Sequence, residues 1–411
     1  MVESWYLAYA LLGAVTAGLV PILLPLTVIK AGSPTLVGLV MAAVSLGGLS
    51  APIWGTLADR YRLHRGLLVG GFILIAVSLA AFVTTSLPGV WVGLSLLQGV
   101  GVAAAATVAN LFVIEAHAQT EWDERIGWLQ SFYGGGQVIG LLLAGLLGQN
   151  YPVGLLIAAV MAVLAGLMGW AFTKTPPAKV ISKPILLRTS RSGEWPPNSP
   201  GHFFHHLSSE AWESMHSAFR SPFGLFLFLW LVSYGGVAAV FSLYPVLMQQ
   251  GYGIAQNIAS IVFALAAATG LVLYSPAGRW SERKGALYVL RAGLVIRLIA
   301  AILLLGLGVF HPAGLNWLAA AAFCGIVLAW SYLSVSGTAL VANISSANEG
   351  AGMGLFNATT ALAGVFGAVS GGWIATRWGY QAVPILAFGG VLLGLVFTFF
   401  IQTPASQDLR K

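Results

Sequence analysis

Charge is scarce in this chain. Only 8% of its 411 residues are Asp, Glu, Lys or Arg, against about 25% in ordinary soluble domains, so a water-soluble fold would run short of polar surface. Ten-residue segments of alternating polarity are missing too, which excludes a transmembrane β-barrel. A single cysteine, Cys324, permits no intrachain disulfide and says little about compartment. No nucleophile–base constellation, phosphate loop or nucleotide-binding motif occurs, which argues against an enzyme or an ATP-driven pump. His202, His205, His206 and His216 have no cysteine or carboxylate completing a tetrahedral set at familiar spacing, so no metal and no cofactor is expected. No Asp or Glu lies near the middle of any apolar run, and Glu115 only ends one. The start, Met1 to Trp5, has neither a basic n-region nor a clear small-residue cleavage site, and reads as a retained first span.

What is present is oil. Hydrophobic residues make up 58% of the chain, and several runs exceed the roughly 18 residues that cross a bilayer as a helix. Twelve spans are expected, at 5–29, 34–58, 67–86, 89–114, 126–149, 152–172, 222–249, 254–277, 287–309, 313–340, 351–375 and 380–401. The class is an all-α polytopic membrane protein. Residues 173–221 break the pattern with Pro176, Pro177, Pro196, Pro197, Pro200 and six basic residues, and read as a cytoplasmic linker between a bundle at 1–172 and another at 222–411. Within the linker, 207–219 fits an amphipathic helix on the membrane surface: Ser208 or Ser209 can cap it, and Trp212, Met215 and Phe219 share a face. A poorly ordered linker is the plainer alternative.

With the N-terminus inside, sixteen of the nineteen Lys and Arg fall on one side, two (Lys30 and Arg377) on the other, and Arg297 within a span. That bias places both termini in the cytoplasm and accounts for the +7 net charge as topology rather than nucleic-acid binding. A polar turn recurs in the two halves. Gly55, Asp59 and Arg60 are repeated with the same spacing as Gly278, Glu282 and Arg283, 223 residues later, as a duplicated bundle would have it.

These residues resemble the major facilitator superfamily across nearly the full length. Gly55, Leu57, Asp59 and Arg60 match the family's signature loop between helices 2 and 3, and Arg62 stands where the family has Gly. The resemblance implies two pseudo-symmetric six-helix bundles rocking about a central site, as a monomer in a prokaryotic-type inner membrane. Asp59 can accept from the amides of a helix starting near Ala351, holding the halves together on the inner side; a positive-inside anchor explains Arg60, Arg62 and Arg65 but not Asp59. Gln98-Gly99-Val100-Gly101 in span 4 and Gly136, Gly140, Ala144 and Gly145 in span 5 resemble exporter motifs, though Ser95 replaces the exporters' arginine and Leu141 their proline. Asp123-Glu124-Arg125-Ile126-Gly127 resembles the segment that opens span 5 in those proteins.

Helices 1, 4, 7 and 10, with 2, 5, 8 and 11, line the cavity in such a fold. The candidates for substrate contact are Asn110 in span 4, Gln130, Tyr133 and Gln137 on one face of span 5, Trp230, Tyr234, Phe241 and Tyr244 as an aromatic stripe in span 7, Ser334 in span 10 and Asn357 in span 11. Single Ser or Thr residues serve helix packing as readily; buried amides are costly without use. Proton coupling would fall to Asp59 and Glu115 at the inner edge. Arg297, in the peripheral span 9, is expected to snorkel inward. The expected function is proton-coupled efflux of a small hydrophobic or amphipathic solute. The alternatives are an uptake carrier or uniporter for a neutral metabolite, and a non-transporting receptor or scaffold.

Overall fold

A computed structural model describes residues 3–117, 121–148, 150–173, 221–310, 314–344 and 349–401. The expected surface helix at 207–219 and the linker histidines lie outside them. The described residues form twelve helices and no strand. Helix α1 runs through Tyr6–Gly13, a π-turn Ala14–Leu19 and Val20–Ala31, and α2 through Pro34–Gly47, a 3₁₀ turn Gly48–Ser50 and Ala51–Tyr61. Then come α3 (His64–Thr84), α4 (Pro88–Ala116), α5 (Trp122–Leu146) and α6 (Tyr151–Phe172). The second half holds α7 (Pro222–Val246 and Leu247–Gly251), α8 (Gln256–Lys284), α9 (Ala286–Phe310), α10 (Trp317–Ile344), α11 (Glu349–Trp378) and α12 (Pro384–Phe397, flanked by short 3₁₀ turns).

The breaks have local causes. Pro52 cannot donate to the carbonyl of Gly48 and its ring crowds that oxygen, so α2 tightens into a 3₁₀ turn at Gly48–Ser50. Pro21 likewise cannot donate to the carbonyl of Ala17, four residues back, inside the π-turn of α1.

Outward faces carry apolar side chains, among them Ile73, Val77, Val160, Leu167, Ile299 and Leu303. Such a surface is stable only against lipid. Eleven of the twelve helices are long and apolar enough to cross a membrane. The exception, α5, opens with Trp-Asp-Glu-Arg and carries Gln130, Ser131 and Gln137. It packs between α1 and α8.

Because the helix count is even, both described ends lie on one face of the bundle, here the termini face; the turns 32–33 and 147–150 lie on the opposite, loop face. On the termini face Arg125 ties the chain start down. Its Nη1 donates to Glu3 Oε1 at 2.9 Å and its Nε to Glu121 Oε2 at 2.8 Å, and His117 Nε2 also meets Glu3 Oε1 at 2.9 Å.

The duplicated turn places a positive-φ residue at the same register in both halves, with ψ 35° in the first and 146° in the second. Arg62, seven residues after Gly55, sits at φ 52°, and Gly285, seven after Gly278, at φ 87°. The second copy fills this position with glycine and the first with arginine. Left-handed geometry costs a non-glycine residue roughly 1–2 kcal/mol, offset in part by the 0.5–1 kcal/mol or so of extra unfolded-state entropy that glycine brings. Arg62→Gly is therefore expected to raise stability by about 0.5–1 kcal/mol and Gly285→Ala to lower it, as read by thermal unfolding in detergent.

Candidate functional site

The halves are joined at the loop face. Thr35 of α2 donates its backbone N–H to Thr376 Oγ1 of α11 at 3.0 Å, and the two hydroxyls lie 2.7 Å apart. One turn in, the helices approach so closely that a Cβ on Gly38 would lie 2.3 Å from the Ala368 carbonyl oxygen. On the other side of the bundle, Gln256 Nε2 of α8 donates to the Ala144 carbonyl of α5 at 3.3 Å. At mid-height the α2–α11 contact loosens to Gly48 beside Ala361, where a Cβ would have 3.8 Å, while α5 still packs closely on α8, a Cβ on Gly134 coming 2.3 Å from Leu271 Cδ2. Beyond these levels the facing residues are exposed: Pro52 and Thr56 on α2, Gln130 on α5 and Asn357 on α11. The molecule is closed at the loop face and open toward the termini face.

On the N-terminal wall of this opening, the structure brings Asn110, Gln130 and Tyr133 together around Tyr9. The Tyr9 and Tyr133 ring centroids are 5.3 Å apart, and Asn110 and Gln130 approach the Tyr9 hydroxyl. Tyr133 OH lies 3.1 Å from Thr16 Oγ1, which itself donates to the Leu12 carbonyl within the π-turn region. Asn110 spends one amide proton on Ala106 O of its own helix at 2.8 Å. Gln137 is half-buried one turn deeper on α5. Sequence reasoning missed Tyr9 and Thr16; their spacing of seven, on one face of an otherwise apolar helix, is the signal that could have found them.

The C-terminal wall is aromatic. Trp230 and Tyr234 of α7 stack 6.1 Å apart at an interplanar angle of 3°, with Trp330 of α10 at 6.2 and 5.6 Å from them and Phe356 of α11 at 4.7 Å from Trp230. Trp230 Nε1 donates to Thr360 Oγ1 at 2.9 Å. Ser334 is half-buried beside Tyr274 on the same wall. The rest of the span 7 stripe goes elsewhere. Tyr244 is buried, stacked on Phe323 at 3.7 Å with its hydroxyl on the Ala259 carbonyl at 2.8 Å, and Phe241 packs against Phe263 and Phe323.

Arg297 corrects an expectation. It does not snorkel: it is 1% exposed, inside the second half, with its guanidinium carbon 5.7 Å from the Trp330 ring centroid. Small neighbours on its face of α9, Gly293, Ala300 and Ala301, let it turn inward, while Val295, Ile299 and Ile302 face out.

In the duplicated turn, a Cβ on Gly55 would make ordinary contact with Thr107 at 3.7 Å, and one on Gly278 would meet nothing within 4 Å. With the termini face open, neither glycine serves close packing. Glu282 and Arg283 are exposed at the end of α8. The side chains of Asp59, Arg60 and Glu115 lie outside those described. The exporter-like glycines are packing contacts: a Cβ on Gly99 would come 2.1 Å from the Val44 carbonyl oxygen, and one on Gly140 2.1 Å from that of Ala14.

The family model described as Major Facilitator Superfamily matches residues 5–255 and 226–411. Among solved structures, the chain is similar to a mutant of the nucleoside transporter NupG, with TM-score 0.77 and 12% identity over 97% of this chain and 98% of that one. It is similar to a D-xylose-proton symporter, with TM-score 0.74 and 14% identity over 97% and 96%. It is also similar to a bacterial homolog of the human lysosomal transporter Spinster in an inward-facing, unoccupied conformation, with TM-score 0.67 and 12% identity over 97% and 94%. At such identities the likeness is one of fold. No curated protein sequence matches the chain.

Proposed function

This chain belongs to the major facilitator superfamily and is a multi-pass transporter working by alternating access, and from that premise we propose that it exports a small amphipathic solute across the cell's inner membrane in exchange for protons. The observation that carries the substrate class is the unlikeness of the two walls. Asn110, Gln130 and Tyr133, backed by the buried Tyr9, offer a hydroxyl and amides; Tyr234 and Trp330, backed by the buried Trp230 and Phe356, offer ring faces. Aromatic pairs contribute about 0.5–1.5 kcal/mol each beyond the area they bury, whereas a hydrogen bond exchanged for water contributes about 1 kcal/mol net. The rings therefore supply affinity and the polar wall sets orientation. In this reading the basic termini face is cytoplasmic, residues 173–221 connect bundles 1–172 and 222–411, the protein acts as a monomer, and Asp59 and Glu115 carry the coupling. The exporter-like glycines of α4 and α5 support outward transport.

Uptake or uniport of a neutral metabolite is the second reading, favoured by Ser95 in place of the exporters' arginine and by the lack of a carboxylate near the middle of any span. A pH dye in everted vesicles separates the two. Proton release on adding aromatic solutes, lost in Asp59→Asn, is the expected result; labelled-solute flux without proton movement overturns the exchange. Gln137→Leu and Asn357→Leu are each expected to lower flux several-fold with membrane insertion intact. Unchanged flux in both would move the site elsewhere.

A further inference from the structure

Arg297 is a buried cation that the reading above does not use. It is the twelfth residue of the 25-residue α9, so it sits near mid-membrane. Among the described residues no hydrogen-bond acceptor meets its Nε or Nη2. Among the described residues no carboxylate pairs with it, and the sequence explains why none could. All twelve acidic residues, from Glu3 to Asp408, fall in the termini-face loops and tails, the linker or the helix ends beside them. The groups that face its guanidinium are the Trp330 ring and Tyr234. Both belong to the aromatic wall of the opening, and both are only half-buried there.

An isolated cation in the low-dielectric interior is costly, and intramembrane charges of this kind face a pathway and find their partner in it. A ring face offsets part of that cost but supplies no acceptor for the guanidinium N–H groups, which suit a carboxylate or a related oxyanion. The same positive charge opposes a cation approaching the rings, although an aromatic cluster of this kind would otherwise welcome one.

We propose that Arg297, with Tyr234 and Trp330, is the head-group site of the C-terminal wall and selects aromatic solutes that carry an anionic oxygen group over their neutral and cationic counterparts. The proposal rests on the amphipathic-solute reading and narrows it. An aromatic acid would lay its ring against Trp330 and Tyr234, which the buried Trp230 backs, and turn its carboxylate toward Arg297 and the Tyr234 hydroxyl.

The test is equilibrium binding of labelled 2-naphthoate to the purified full-length protein, competed by 2-naphthalenemethanol and 2-naphthylmethylammonium. The expected order is carboxylate over alcohol by at least ten-fold, with the ammonium weakest. Arg297→Gln should weaken naphthoate at least ten-fold and leave the alcohol within two-fold, and Arg297→Lys should fall between. Retained alcohol binding shows that the glutamine variant is folded, and the order in the unaltered protein tests the idea without any variant. Equal competition by the three probes, no saturable naphthoate binding, or a carboxylate preference that survives Arg297→Gln overturns it and leaves Arg297 as a packing residue under Trp330. Vesicle flux of the alcohol without charge preference overturns the anion site while the transport reading stands. Charge-ordered binding with no flux of any probe does the reverse.

Discussion

Gly38→Val is expected to prise open the loop face. The added Cβ would overlap the Ala368 carbonyl oxygen at 2.3 Å and press on the Gly372 Cα at 3.0 Å, backbone atoms that no rotamer change can move. Overpacking of this kind costs roughly 1–3 kcal/mol. Here the strain falls on one conformation only, because the contact between α2 and α11 exists when the loop face is closed and is lost when it opens. At a factor of ten for each 1.4 kcal/mol or so, the population should shift about ten- to hundred-fold toward a state open at that face. With Cys324 replaced by serine, the yield of a short cross-link between cysteines at positions 35 and 376 should fall about ten-fold or more, and transport should fall with it. Gly48→Ala is the control, since its Cβ would lie 3.8 Å from Ala361 and fits. Unchanged cross-linking in Gly38→Val would mean that the closed contact contributes nothing to the resting state.

Neighbouring glycines of α5 should behave in opposite ways. A Cβ on Gly136 would lie 1.8 Å from the Ala10 carbonyl oxygen of α1, whereas one on Gly135 meets nothing within 4 Å. Gly136→Ala forces α1 and α5 apart at Tyr9 and Tyr133, and is expected to cost roughly 3 kcal/mol or more and to abolish transport. Gly135→Ala keeps the packing and is expected to gain about 0.5–1 kcal/mol from helix propensity. Thermal unfolding of the two variants side by side measures the contrast directly. Similar losses from both would show that close approach of α1 and α5 is not what these glycines provide.

Most of the fold was legible in the sequence because lipid imposes one requirement, a long apolar helix, on every exposed element. The helix ends were less so. The span expected at 254–277 runs as Gln256–Lys284, since the charged turn Arg279–Arg283 continues the helix past the hydrocarbon instead of ending it. Site residues were legible where a polar group broke an apolar face, as with Asn110, Gln130 and Tyr133. Tyr9 passed unnoticed because tyrosine near a helix end is unremarkable in a membrane protein. The direction of Arg297 depends on which face of α9 meets α10, and only the stripe of small residues around it hinted at the answer. Tyr244 kept the period of its stripe but lies where α8 and α10 close over α7, which spacing along one helix does not reveal.

Alternating access requires that the two faces open in opposition. Spin labels on α2 and α11, paired at positions 35 and 376 on the loop face and at 56 and 355 toward the termini face, give both distances in liposomes. In the unaltered protein the loop-face distance should be short and the termini-face distance long. Gly38→Val should lengthen the first and shorten the second in the same population. Distances that stay fixed, or that lengthen together, while solute still crosses the membrane would contradict a two-bundle rocking mechanism.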